Sequence, residues 1–100
     1  MANWAWGLRV ITNHIRTVNT GNQQTSATGS ATEYVRVTSD TASVFIEFGS
    51  NPTASVSTSI RLPANEPMIF KIDGGMKMAA ILASGTGNVW VQELSEWNEN

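Results

Sequence analysis

The feature that most constrains the fold is a regular series of short apolar segments in the C-terminal half of the chain. Turn residues separate five such segments, at 42–48, 57–62, 66–72, 77–83 and 88–94. This spacing predicts an antiparallel all-β domain. Asp-Gly-Gly at 73–75 and Gly-Thr-Gly at 85–87 are hairpin signals, so we expect the last three strands to form a C-terminal meander.

Two further strands are predicted in the N-terminal half. Segment 33–38 alternates apolar and polar residues, as a half-exposed strand does. Segment 4–16 has large apolar residues at a spacing of two, at Trp4, Trp6, Leu8 and Val10. A helix is the competing interpretation of this segment, but Gly7 and the β-branched residues favour a strand. The prediction is a small antiparallel β-sandwich or jelly-roll-like barrel of about seven strands.

The two halves are joined by a polar connector, residues 20–32, which has two glycines and no large apolar residue. We interpret it as a long loop or arm outside the core. The 100 residues fit a single domain. Its parts are then an N-terminal strand with its arm (1–32), a β core (33–94) and a polar tail (95–100).

Composition argues against several classes of function. The net charge is −2 and the six basic residues are scattered, so nucleic-acid binding is not expected. No run reaches the roughly 18 apolar residues of a membrane span, and we expect a soluble protein made in the cytoplasm. Cysteine is absent, so the chain forms no disulfide and no thiolate metal site.

No residue pattern predicts catalysis, a cofactor or a metal site, and we do not expect an enzyme. His14 is the only histidine and no Gly-x-Ser-x-Gly motif is present, so we interpret it as solvated or hydrogen-bonded. Glu47 and Glu93 lie in otherwise apolar strands. We expect them to form cross-strand ion pairs with Arg36 or Lys71.

Several predicted strands are apolar on both faces, so the surplus face needs a cover, either the N-terminal segment or another subunit. Tryptophan is enriched in interface hot spots. The candidate partner or subunit interface therefore comprises the tryptophans and two polar residues of the connector, namely Trp4, Trp6, Trp90, Trp97, Gln23 and Gln24. Packing of the tryptophans on the domain's own core is an equally good interpretation.

The turns carry a more specific signal. Phe-Gly-Ser-Asn-Pro-Thr (48–53), Leu-Pro-Ala (62–64), Gly-Gly-Met-Lys (74–77) and Gly-Asn-Val-Trp-Val-Gln-Glu (87–93) follow one another along the chain. In this order they resemble the turns and strands of small β-sandwich structural proteins of tailed bacteriophages. The resemblance covers about the last half of the chain, and the N-terminal part matches no such pattern.

The resemblance implies a virion component, most plausibly a capsid decoration or cement protein. Such a protein binds the outside of the head shell, with the major capsid protein as its partner, after synthesis in the host cytoplasm. It also implies a homo-oligomer, and a position at local threefold axes would make it a trimer. The alternatives are a carbohydrate-binding module of a phage fibre or tail, and a neck or tail adaptor.

Overall fold

The computed structural model describes residues 8–41 and 44–96, and within these ranges all regular secondary structure is β-strand. The strands are β1 (Leu8–Val18), β2 (Gln23–Gln24), β3 (Tyr34–Ser39), β4 (Val44–Gly49), β5 (Ile60–Leu62), β6 (Met68–Lys71), β7 (Lys77–Leu82) and β8 (Gly87–Glu96). The start of the predicted segment 42–48 and residues 4–7 of segment 4–16 lie outside the described residues. The part of 4–16 that is described is a strand, as predicted.

The eight strands form two antiparallel four-stranded sheets. Sheet A has the order β1-β8-β3-β6 and sheet B the order β2-β7-β4-β5. β1 pairs with β8 and β2 with β7, while β3 pairs with β6 and β4 with β5. The chain is therefore one long antiparallel ribbon wrapped across two sheets, which is the jelly-roll arrangement. This confirms the predicted all-β sandwich, with one strand more than the sequence indicated.

The predicted C-terminal meander is wrong. β6, β7 and β8 form close to the predicted positions, but β6 and β8 belong to sheet A and β7 to sheet B. The turns after β6 and β7 reverse the chain with glycines at positive φ, Gly75 at 82° and Gly85 at 80°. Such a turn specifies a reversal but not the sheet that the next strand joins. Here each turn carries the chain across the sandwich.

The core lies between the sheets and is built by alternate residues of each strand. Sheet A contributes Val35, Val37, Val89 and Val91, and sheet B contributes Val44, Ile46, Met78 and Leu82, all nearly inaccessible to solvent. Successive side chains of a strand point to opposite faces, so the residues between these positions face outward. The strands predicted to be apolar on both faces thus leave Phe45, Ile69 and Ile81 half-exposed outside the sandwich.

The polar connector is part of the fold and not a free loop or arm. It contains β2, which pairs with β7, and three of its threonines are buried: Thr25, Thr28 and Thr32. The Thr25 amide donates to the Met78 carbonyl at 2.9 Å, and the Thr25 hydroxyl accepts from the Met78 amide at 3.1 Å. Hydrogen bonds of backbone and hydroxyl groups thus hold this segment where apolar side chains are lacking.

The connector also packs closely against the turn between β6 and β7. A Cβ atom built on Gly74 would overlap the carbonyl group of Ser30. The Gly75 amide donates to the Gly29 carbonyl and to the Thr28 hydroxyl, each at 3.1 Å. Gly74 is therefore required by a close approach of two backbone segments.

We predict that Gly74→Ala lowers the free energy of unfolding by about 1–3 kcal/mol, because the connector backbone must move to accommodate the methyl group. Urea denaturation followed by circular dichroism measures the change. Gly49→Ala is the matched control, since the nearest atom to its added Cβ is Pro52 Cβ at an ordinary 3.6 Å. Equal stability of the two variants would contradict the prediction.

Candidate functional site

The outer face of sheet A carries an apolar row centred on Trp90. Trp90 lies between the buried Val89 and Val91, so its side chain points away from the core, where it is half-buried. It is paired with Ile15 on β1 and with Thr38 on β3. Ile15 is 61% exposed, which is unusually open for a large apolar side chain in a strand. We call Ile15, Trp90 and Thr38 the Trp90 row.

Polar rows border the Trp90 row on both sides. On one side Asn13, Gln92 and Arg36 lie across three strands, and Arg36 Nε donates to Gln92 Oε1 at 2.6 Å. On the other side the Thr17 hydroxyl donates to Asn88 Oδ1 at 3.1 Å. An aromatic and aliphatic centre within a polar rim is the usual composition of a protein interface.

The two glutamines predicted at the interface lie at the edge of the other sheet and already have partners. Gln23 Oε1 accepts from Arg16 Nη2 at 2.6 Å. Gln24 Nε2 donates to the Pro52 carbonyl at 2.8 Å and to Asn51 Oδ1 at 3.0 Å. Both amides therefore join the connector to neighbouring parts of the same chain.

Trp4, Trp6 and Trp97 lie outside the described residues. The pairing of β1 with β8 nevertheless shows where the segments that carry these tryptophans join the sheet. Leu8 is paired with Glu96, so the chain enters β1 and leaves β8 at the same end of sheet A. The peptide segments that carry these three tryptophans are thus attached to neighbouring backbone positions.

A second arrangement, which the sequence did not indicate, surrounds Glu93. Its side chain points into the sandwich and the residue is only 4% exposed. Glu93 Oε1 accepts from the Thr32 hydroxyl at 2.6 Å and from the Gly29 amide at 3.0 Å, and His14 Nε2 lies 2.5 Å from Oε2. We call Glu93, Thr32, Gly29 and His14 the Glu93 cluster.

The predicted ion pairs of Glu93 and Glu47 with Arg36 or Lys71 are wrong. Arg36 and Lys71 stand on the outer face of sheet A, whereas Glu93 occupies an inner position of the same sheet. Glu47 is in sheet B and accepts from the Ser59 hydroxyl at 2.9 Å. His14 is hydrogen-bonded, as the sequence interpretation allowed.

Burial raises the pKa of Glu93, but hydrogen bonds from Thr32, Gly29 and His14, together with the charge of His14, outweigh it. The net result is a pKa below the ordinary value of 4.5. A buried carboxylate with three donors is stabilised in its charged form. The cluster therefore ties β1, the connector and β8 together through one anion.

An open cleft of about 530 Å³ lies beside this cluster, between the connector and β1. Its lining includes Ile11, Thr12, residues 29–34 and Glu93. The contacts of Glu93 join three segments of the chain, as those of a structural anchor do.

We predict that Glu93→Gln lowers the free energy of unfolding at neutral pH by about 1–3 kcal/mol, because buried donors lose a charged acceptor. A carboxyl whose pKa falls on folding stabilises the protein above its unfolded pKa. That stabilisation is lost as the pH falls through the folded pKa. The decline in wild-type stability below about pH 4.5 should therefore be shallower in the variant. Urea denaturation at a series of pH values measures both effects.

Part of the loss of stability at acid pH should remain in Glu93→Gln. The backbone amide of Asn88 and the hydroxyl of Thr41 hold the pKa of Asp40 below its usual value too. The exposed Glu47→Gln is the matched control and should change stability little. Parallel pH curves for wild type and Glu93→Gln below pH 4.5 would contradict the role assigned to the cluster.

Within residues 8–41 and 44–96 no three His, Asp or Glu side chains are grouped as metal ligands would be. No helix in the same ranges is long and apolar enough to cross a membrane. Compared with known proteins, the chain matches no family model, no curated protein and no solved structure.

Proposed function

We propose that this protein is a structural component of a phage virion that binds the outside of the head shell and stabilises it. Two features support the proposal: the resemblance of its turns to those of small β-sandwich structural proteins of tailed bacteriophages, and the jelly-roll fold, which viral capsid domains share with lectins and cupins. Because one fold serves many functions, the proposal depends on the surface of this chain and not on the fold alone.

The observation that carries the proposal is the Trp90 row. It places a half-buried indole and a 61% exposed isoleucine side by side on the broad outer face of a sheet. Polar side chains on both sides can exchange hydrogen bonds with a partner while excluding water from the centre. A β-sheet face of this kind fits a flat protein surface such as a shell.

The partner in this proposal is the major capsid protein. The Glu93 cluster and the jelly-roll core supply a domain stable without disulfides, since the chain has no cysteine. The protein would act as a homo-oligomer with many copies on each head.

A carbohydrate-binding module is the second candidate, and the same residue favours it. Trp90 presents part of an aromatic face, and Gln92 and Arg36 lie one row away as hydrogen-bonding groups. Sugar rings stack on exposed tryptophans, and lectins use jelly rolls as well. A fibre or tail location would suit such a module.

We predict that the purified protein co-sediments with cognate shells that lack it and raises the temperature at which they rupture. Trp90→Ala should weaken binding by tenfold or more, because loss of a hot-spot aromatic costs about 2 kcal/mol or more. Phe45→Ala is the matched control, since Phe45 is a half-exposed aromatic on the outer face of sheet B. Shells that do not bind the intact protein would rule out this function.

Glycan binding separates the two candidates. If the protein is a shell-binding component, a glycan array and titrations at millimolar sugar should give no saturable signal. Saturable binding that is lost in Trp90→Ala and kept in Phe45→Ala would favour the carbohydrate-binding module. The number of copies in purified virions then indicates where the protein lies. Many copies indicate the head, and few indicate a neck or tail part.

A further inference from the structure

β1 is a long edge strand that has a partner on one side only. It has 11 residues and stands at the end of sheet A, where one edge pairs with β8. In the part of the chain that the structure describes, no strand pairs with its other edge. The other three edge strands are much shorter, with 2, 3 and 4 residues for β2, β5 and β6.

β1 lacks two of the features that normally protect an exposed edge, and the two that it has, a bulge and the charged residues Arg9 and Arg16, leave residues 12–15 between them. Natural sheets blunt their edges with short strands, prolines, bulges or charged side chains. β1 is long and has no proline. Its one irregularity is a bulge between Val10 and Thr12. It also carries two of the most exposed large apolar residues, Ile11 at 50% and Ile15 at 61%.

We propose that the free edge of β1 pairs antiparallel with β1 of a second copy of this chain across a twofold axis. A second copy is the expected partner because the strand is complementary to itself. Full overlap of Leu8–Val18 with its copy places the axis at Asn13, the middle residue of the strand. In this register Ile11 of one copy lies opposite Ile15 of the other, so the two exposed isoleucines meet.

Shifted registers would separate these two isoleucines. Antiparallel registers differ by two residues, because a shift of one residue would place outward-facing side chains opposite inward-facing ones. A shift of two residues in either direction would place Ile11 opposite Asn13 or Thr17 of the other copy. His14 is paired with Glu93 of its own copy, and the carboxylate offsets the charge of the ring.

The result is one continuous eight-stranded sheet with the order β6-β3-β8-β1-β1-β8-β3-β6. Backbone hydrogen bonds along β1 supply the affinity, as in other cases of strand addition. Because Ile15 is paired with Trp90, the two Trp90 rows lie on the same outer face, one on each side of the paired β1 strands. Isologous twofold pairing of this kind closes as a dimer and does not propagate.

This inference does not rest on the proposed function, and disulfide cross-linking tests it directly. The chain has no cysteine, so a single introduced cysteine reports one position without further changes. Asn13→Cys should form a disulfide dimer under mild oxidation, because the two copies of residue 13 face each other at the axis. Thr17→Cys is the control, since its two copies would lie about 27 Å apart, too far for a disulfide.

Sedimentation equilibrium gives a second measurement that needs no cysteine. The wild-type chain should be a dimer, and Ile15→Lys should raise its dissociation constant at least tenfold. Ile60→Lys changes an exposed isoleucine on β5 of the other sheet and should leave the dimer intact. Circular dichroism verifies that each variant is folded.

A monomer, a trimer, or a dimer that cross-links through residue 17 and not through residue 13 would overturn the inference. Its failure is distinct from failure of the proposed function. A monomer that binds shells would overturn the twofold pairing alone. A dimer cross-linked at residue 13 that does not bind shells would overturn the shell-binding function alone.

Discussion

The antiparallel ladder between β1 and β8 is the interaction on which the other features depend. It pairs Leu8 with Glu96 at one end and Val18 with Gly87 at the other, so it joins the two ends of the described chain. The same ladder brings His14 to Glu93 on the inner side and Ile15 to Trp90 on the outer side. One register thereby builds both the anchor inside the sandwich and the apolar row outside it.

The Glu93 cluster explains how a polar connector can cover the edge of an apolar core. A buried charge is costly unless it is paired and hydrogen-bonded. Here Thr32 and Gly29 of the connector supply two of the three donors, so the carboxylate is satisfied only when the connector is in place. The threonines of this segment serve as hydrogen-bonding groups, which is why its composition resembles that of a loop although it is held in the fold.

Sheet A concentrates the surface features that can bind a partner. Its outer face carries the Trp90 row, and its end carries the edge of β1 that no described strand pairs with. Sheet B has shorter edge strands, and the connector at its β2 edge is bonded to the loop after β4. Self-association along β1 and docking through the outer face would use adjacent parts of one sheet.

The class of fold and the positions of most strands could be predicted from the sequence. Apolar alternation and turn residues are local signals, and they located β3, β4, β6, β7 and β8 to within a few residues. Three features were decided by tertiary structure. β2 has only two residues and no apolar pattern, and it exists because β7 offers it an edge. Packing across the core decides which sheet β7 joins, because a turn specifies only a reversal of the chain. The buried carboxylate of Glu93 is satisfied by donors from residues about 60 or more positions away in the chain, and only the folded ribbon brings them close.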